Sequence, residues 1–319
     1  MAEAQPSSLN AVFATALATL TGCPSGAEGR LGVAVSGGPD SMALLDIAAA
    51  VAPGRVEAAT VDHGLRPEAA IEAGMVAGWC AGQAIAHSIL VPAHRIAGSV
   101  QAEARAARYA LLEDWMDVRG LDWLLTAHHA DDQLETMVMR LNRASGVSGL
   151  AGVRGRRGRV IRPLLGVRKA DLEAYVRQRG IPHVADPSNS DDRFDRVRLR
   201  VRLAEVDWLD PVAASRSAAA LADAEAALDW SIHRLMEERL RQEGDALYLE
   251  AGDLPREYLH RLLAQMVRLA APDSPEPRGE QIEQAIVQLC RGSKLSIGAC
   301  VATGGAIWTV RRAPPRRTG

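Results

Sequence analysis

Four cysteines in 319 residues, Cys23, Cys80, Cys290 and Cys300, stand far apart and form no CxxC pair. That scatter excludes a zinc ribbon and a clustered iron–sulfur motif, and it suits free thiols in a reducing compartment. Long apolar runs are missing too. None approaches the ~18 residues that a membrane-crossing helix needs, and the opening MAEAQPSS lacks a basic leader. A soluble cytoplasmic protein without membrane partners is expected. Charge of one sign is not in excess: 37 basic against 39 acidic residues leave a net charge of −2. A uniformly basic nucleic-acid binder is thereby excluded, and any RNA contact must come from local patches. Lysine is almost absent. Lys169 and Lys294 stand against 35 arginines in an alanine-rich chain, a compositional skew that makes arginine counts alone weak testimony. No internal repeat is present.

The most informative stretch is VAVSGGPDSMALLDIA, residues 33 to 48. Val33 to Val35 suit a buried strand, and Met42, Leu44, Leu45 and Ile47 continue with helical spacing. Between them lie Ser36, Gly37, Gly38, Pro39, Asp40 and Ser41. Two glycines allow a sharp turn and close backbone approach, and the following helix turns unpaired N–H groups toward the loop. Phosphate is held in this way. The loop lacks the lysine of a Walker A motif, and Asp40 stands where a cation would. A carboxylate beside phosphate makes sense if magnesium joins the two.

Further along, a strand over residues 55–61 ends in Asp62-His63-Gly64-Leu65-Arg66, and a strand over 122–127 runs into His128-His129-Ala130-Asp131-Asp132. Strands alternating with helices predict a parallel α/β sheet, whose carboxyl edge would collect all three polar clusters. A helix over 128–143 would place Leu134, Met137, Val138 and Leu141 on one face and His128, Asp132 and Glu135 on the other. Residues 193–202, RFDRVRLRVR, carry five arginines against one aspartate. A second basic stretch spans Arg154 to Arg159. The expected division is 1–207 for the α/β domain and 208–319 for a smaller domain of helices ending in a β-hairpin over 294–311.

Taken in order, SGGPDS, DHGLR, EARAARY, AHHADDQLET, RPLL and DPSN resemble the tRNA(Ile)-lysidine synthetase family of PP-loop ATP pyrophosphatases. The likeness covers roughly residues 30 to 202 closely, and SKLSIGACVATGGAIWTVRR resembles the small C-terminal domain of the family's shorter members. The SGGxDS element marks only the wider superfamily; the AHHADDQLET string is more specific.

The resemblance implies an adenine-nucleotide α-hydrolase-like fold and a two-step reaction. The wobble cytidine of a CAU-anticodon isoleucine tRNA would attack the α-phosphate of ATP, and free lysine would then displace AMP to give lysidine. It implies that Ser36 to Ser41 hold the phosphates and Asp40 a magnesium ion. Arg105 and Arg108 would contact phosphate or adenylate, and Asp62 and His63 would line the nucleotide or cytidine pocket. Asp132 and Glu135 would receive the lysine cation, with His128 or His129 as an acid, base or orienting group. Arg196, Arg198 and Arg200 of the first domain would meet tRNA, and the second domain, 208–319, would bind tRNA as well; a homodimer stays open. The family usually carries Asn where this chain has Val197. Two rival readings exist: a tRNA 2-thiolation enzyme, which would want the CxxC pairs missing here, and a non-catalytic RNA-binding protein, which would not need Asp40, Asp132 and Glu135 together.

Overall fold

The computed structural model describes residues 6–23, 29–62, 64, 68–92, 100–184 and 195–314. The chain divides into two units, 1–222 and 223–319.

In the first unit, helix α1 (Pro6–Thr21) leads into strand β1 (Leu31–Ala34), helix α2 (Pro39–Val51) and strand β2 (Val56–Val61). Helix α3 (Glu68–Gly82), strand β3 (Ala86–Leu90), helix α4 (Val100–Arg119) and strand β4 (Trp123–Leu125) follow. After them come α5 (Ala130–Leu141), α6 (Val147–Leu150), β5 (Arg156–Arg157), β6 (Val160–Ile161), α7 (Lys169–Arg179), α8 (Asp195–Ala204) and α9 (Pro211–Arg239). The sheet order is β3-β2-β1-β4-β6-β5, parallel except for the edge strand β5. Chain order runs outward from β1 in one direction and then returns to its other side at β4. That reversal opens a crevice at the carboxyl ends of β1 and β4, where α/β sheets bind ligands.

Both faces of this sheet are covered. Leu9, Phe13 and Leu17 of α1, the buried run from Met42 to Ala48 of α2, and Leu172, Tyr175 and Val176 of α7 share one core. Leu112, Trp115 and Met116 of α4 form the other, against Ala59 and Leu124. Gly32 is required by this second packing, since a Cβ there would stand 2.7 Å from the Trp115 ring. Helix α2 is buried on nearly every side, as a central helix must be when apolar all round. Its one buried carboxylate, Asp46, accepts from Tyr175 Oη at 2.6 Å and from Arg179 Nε at 2.7 Å, which ties α7 to α2. This tie fixes the helix that carries Asp40 at its start.

The division falls inside α9 rather than at 207/208. The first turns of α9 belong to the first unit because Ser215 is buried and donates to the Leu165 carbonyl at 2.6 Å, and Ala218 is fully buried.

The second unit contains β7 (Leu240–Glu243), β8 (Ala246–Glu250), α10 (Arg256–Ala270), α11 (Gly279–Cys290), β9 (Lys294–Ile297), β10 (Cys300–Thr303) and β11 (Ile307–Arg312). Its strands form one antiparallel sheet in the order β7-β8-β11-β10-β9. The expected terminal hairpin is real as β10 and β11, but it is part of a five-stranded sheet. Lys294–Thr303 makes two strands, not one, turned at Gly298, whose φ is +55°. Alternating Leu249, Trp308, Val310, Cys300 and Ala302 face α10 and α11 in a purely apolar core. Among the described residues no helix is long and apolar enough to cross a membrane.

Candidate functional site

The phosphate-type loop follows β1 directly. Gly37 has φ +84°, in the left-handed region that glycine tolerates, and a Cβ there would press on Val184 and Met75 at 3.3 and 3.4 Å. Gly38 begins α2 without any side-chain cap, so the first helical amides are left for a ligand. Ser41 Oγ donates to the Gly38 carbonyl at 2.9 Å and lies 3.2 Å from both the Ser36 amide nitrogen and Ser36 Oγ, which curls the loop. Ser36, Gly38, Pro39, Asp40 and Ser41 line a cleft of about 630 Å³ at the carboxyl edge of the sheet.

Asp40 projects into that cleft. Its Oδ2 lies 3.5 Å from His129 Nε2, while its Oδ1 is buried with no hydrogen-bond partner. An orphaned carboxylate oxygen is costly unless something binds it. Among the described residues no group of three or more His, Cys, Asp or Glu side chains is arranged to hold a metal by itself. One carboxylate plus substrate phosphates and water is a donor set that magnesium accepts, so Asp40 fits that ion.

The two adjacent histidines are driven to opposite charge states. Burial pushes His128 down to about 4, with Arg162, Arg105 and Arg196 adding to the effect against Asp132. It is neutral at pH 7, and its Nδ1 lies 3.1 Å from Thr126 Oγ1. Burial would lower His129 also, but Asp131, Asp40 and Asp132 outweigh it and push His129 up to about 10. Three carboxylates stand within 3.6 Å of its ring nitrogens. His129 is the N-cap of α5, and its backbone N–H donates to Asp132 Oδ2 at 3.1 Å. Adjacent titratable groups forced apart in this manner are a mark of acid–base sites.

Asp132 and Glu135 converge on α8. Arg196 Nε donates to Glu135 Oε2 at 2.8 Å and its Nη2 to Asp132 Oδ1 at 3.0 Å. Arg200 donates through Nε to Glu135 Oε1 at 2.6 Å and through Nη2 to Oε2 at 3.1 Å. Asp132, His128, Arg196 and Arg200 all line the cleft; Glu135 lies behind them, its side chain only 3 % exposed.

The other expected residues are placed differently. Arg105 is exposed on α4 with its guanidinium 5.3 Å from the Tyr109 ring centre, and Arg108 is the member of that pair on the cleft wall. Asp62 accepts from the Gly64 N–H at 2.8 Å and so closes a turn, while Val61 lines the cleft. Arg198 is exposed on α8. His63 and the DPSN segment, residues 186–189, lie outside the described residues. The wheel drawn for α5 holds only in part: Leu134 is buried as expected, but Gln133 and Glu135 are buried too, whereas Leu141 is 67 % exposed. Two arginines brought from α8 and the Gln133 bonds to Val153 satisfy these polar groups, so they tolerate the interior. His129, which the sequence offered as the alternative to His128, is on the wall, and so are Lys169 and Glu72, which it did not single out. The signal for His129 was available in the acid three residues on, the pattern of a capping box.

The PP-loop domain family matches residues 9–206. A tRNA(Ile)-lysidine synthase from Novosphingobium aromaticivorans is 43% identical over 301 residues, covering 91% of each chain. One from Zymomonas mobilis is 39% identical over 299 residues, covering 91% of this chain and 90% of its own. Among solved structures, the U34-tRNA thiolase NcsA from Methanococcus maripaludis with its [4Fe-4S] cluster has a TM-score of 0.45 at 14% identity, covering 62% of this chain and 80% of its own. The extent of the first two matches, over both units, places the chain: it belongs to the PP-loop domain family and, within it, to the tRNA(Ile)-lysidine synthases.

Proposed function

We propose that the protein is an ATP-dependent ligase that joins free L-lysine to the wobble cytidine of the CAU-anticodon isoleucine tRNA. The cytidine base oxygen attacks the α-phosphate of ATP, the bond to the β-phosphate breaks, and pyrophosphate leaves. The ε-amine of lysine then attacks the base carbon and AMP departs with the oxygen, giving lysidine. The observation that carries this reading is the cleft in which the uncapped start of α2 and Asp40 face His128 and Asp132.

Each residue has a distinct task. The amides of the Ser36–Ser41 loop hold the departing phosphates. Asp40 holds a magnesium ion, which supplies neutralising charge on those phosphates when bound. Arg108, on the cleft wall, offers a guanidinium to the nucleotide, with Arg105 one turn away at the surface. Asp132 receives the lysine ammonium. An amine attacks only when neutral, and His128, uncharged at pH 7 and too weak a base to take the proton of an ammonium, can orient the amine by accepting a hydrogen bond from it. His129 carries a positive charge between Asp40 and Asp132 and keeps the two carboxylates from repelling. Arg198 on the exposed side of α8, and the basic stretch Arg154 to Arg159, meet the tRNA backbone together with the second unit.

The test is incubation with ATP, labelled lysine and a tRNA(Ile) transcript bearing CAU. Label enters the tRNA and AMP is released on this reading. Modification that requires a sulfur donor and ignores lysine would assign the chain to thiolation instead.

A further inference from the structure

The paired carboxylates and the paired arginines answer different needs. Glu135 is enclosed, off the cleft wall, and its two oxygens are engaged by Arg196 and Arg200 from α8. Those arginines are one helical turn apart, and both reach the cleft. Arg200 is 30 % and Arg196 44 % exposed in the side chain, so both are reachable from the cleft that they line. An enclosed carboxylate that is already doubly bonded is poorly placed to receive an incoming ammonium, whereas fixed guanidinium groups on a cleft wall suit an oxyanion.

We infer that Glu135 is a positioning residue, not a substrate contact, and that it aims Arg196 and Arg200 into the cleft as receptors for a substrate oxyanion. The oxyanion belongs either to a nucleotide phosphate or to the α-carboxylate of the amino acid; both present the same paired oxygens to a guanidinium. This inference rests on the function proposed above and deepens it. It takes Arg196 and Arg200 away from the outward tRNA-facing role and leaves Arg198 there. The neutralised Glu135 also leaves Asp132 as the carboxylate on the wall for the lysine cation.

Calorimetric binding to the full-length protein tests it, with α,β-methylene-ATP, then lysine, then cadaverine, which is lysine without its carboxylate. Four proteins are compared: wild type, Glu135→Gln, Arg196→Gln/Arg200→Gln, and the triple variant, each checked for its folded circular dichroism. Glu135→Gln is expected to weaken the nucleotide analogue or lysine about tenfold in the wild-type background and less than twofold once both arginines are replaced. Loss confined to the analogue identifies phosphate; loss for lysine but not for cadaverine identifies the carboxylate. Glu135→Asp, which keeps the charge, restores part of the loss. If Glu135→Gln weakens lysine and cadaverine equally, and does so without the arginines, Glu135 grips the ammonium and the inference is overturned. Unchanged affinities in the double arginine variant overturn it also. Should the wild type bind neither nucleotide nor lysine, it is the proposed function that fails.

Discussion

The two units bury different chemistry. Apart from Glu225, every buried polar or charged side chain among the described residues lies in the first unit, including Asp46, Glu57, His129, Glu135 and Arg162. The second unit encloses Leu, Ile, Met, Val, Trp308 and Cys300 around an antiparallel sheet. Enclosing a charge is expensive unless it is paired. The first unit accepts that cost and offsets it with Tyr175 and Arg179 on Asp46, Arg30 and Arg119 on Glu57, and α8 on Glu135. Paired polar burial therefore goes with the unit that carries the cleft, and a nearly apolar interior with the other.

The contrast can be broken at either end. Asp40→Ala removes the orphaned carboxylate and is expected to lower pyrophosphate release more than 100-fold, the scale of lost charge stabilisation at a reacting centre. Turnover near the wild-type rate would detach the polar burial from phosphate chemistry. Trp308 is 1 % exposed in the apolar core. Trp308→Ala is expected to cost about 3–5 kcal/mol in urea unfolding of the second unit while leaving the affinity of the first unit for ATP within about twofold. A loss of ATP binding as large as the loss of stability would erase the distinction between the units.

A subtler effect follows from the adjacent histidines. His128 is held near 4 when folded and titrates at 6.5 when unfolded, so the unfolded chain binds the extra proton between those values and stability rises with pH there. His129 is raised to about 10, so the folded chain binds the extra proton between 6.5 and 10 and stability falls with pH there. The urea midpoint of the first unit is expected to pass through a maximum near pH 6.5. His129→Gln flattens the alkaline limb and His128→Gln the acid limb; persistence of both limbs in both variants would contradict the assigned charges.

Much of the first unit was legible because its signals are local. A glycine pair between an apolar strand and an apolar helix specifies a strand–turn–helix, and Gly37 adopts the positive φ that the pair allows. Asp40 and His128 could be placed at one edge because each follows a strand. What resisted reading depends on distant partners. The burial of Glu135 cannot be inferred from α5 alone, since Arg196 and Arg200 arrive from more than sixty residues away. The same pairing turns part of a basic run, which looks solvated, into cleft wall. Arg105 and Arg108 differ only in which side of α4 meets the sheet. In the second unit, β7 reads LRQE, with three of four residues exposed, and carries too little alternation to be seen as a strand.

On the proposed function, the nucleotide's α-phosphate is transferred to the tRNA base before lysine acts. The direct measurement supplies ATP labelled at the α-phosphate and the CAU transcript to the wild-type protein while lysine is withheld. Label is expected to accumulate on the tRNA and to be discharged as AMP when lysine is added. Label that stays off the tRNA and appears instead on the carboxylate of lysine would contradict the claim.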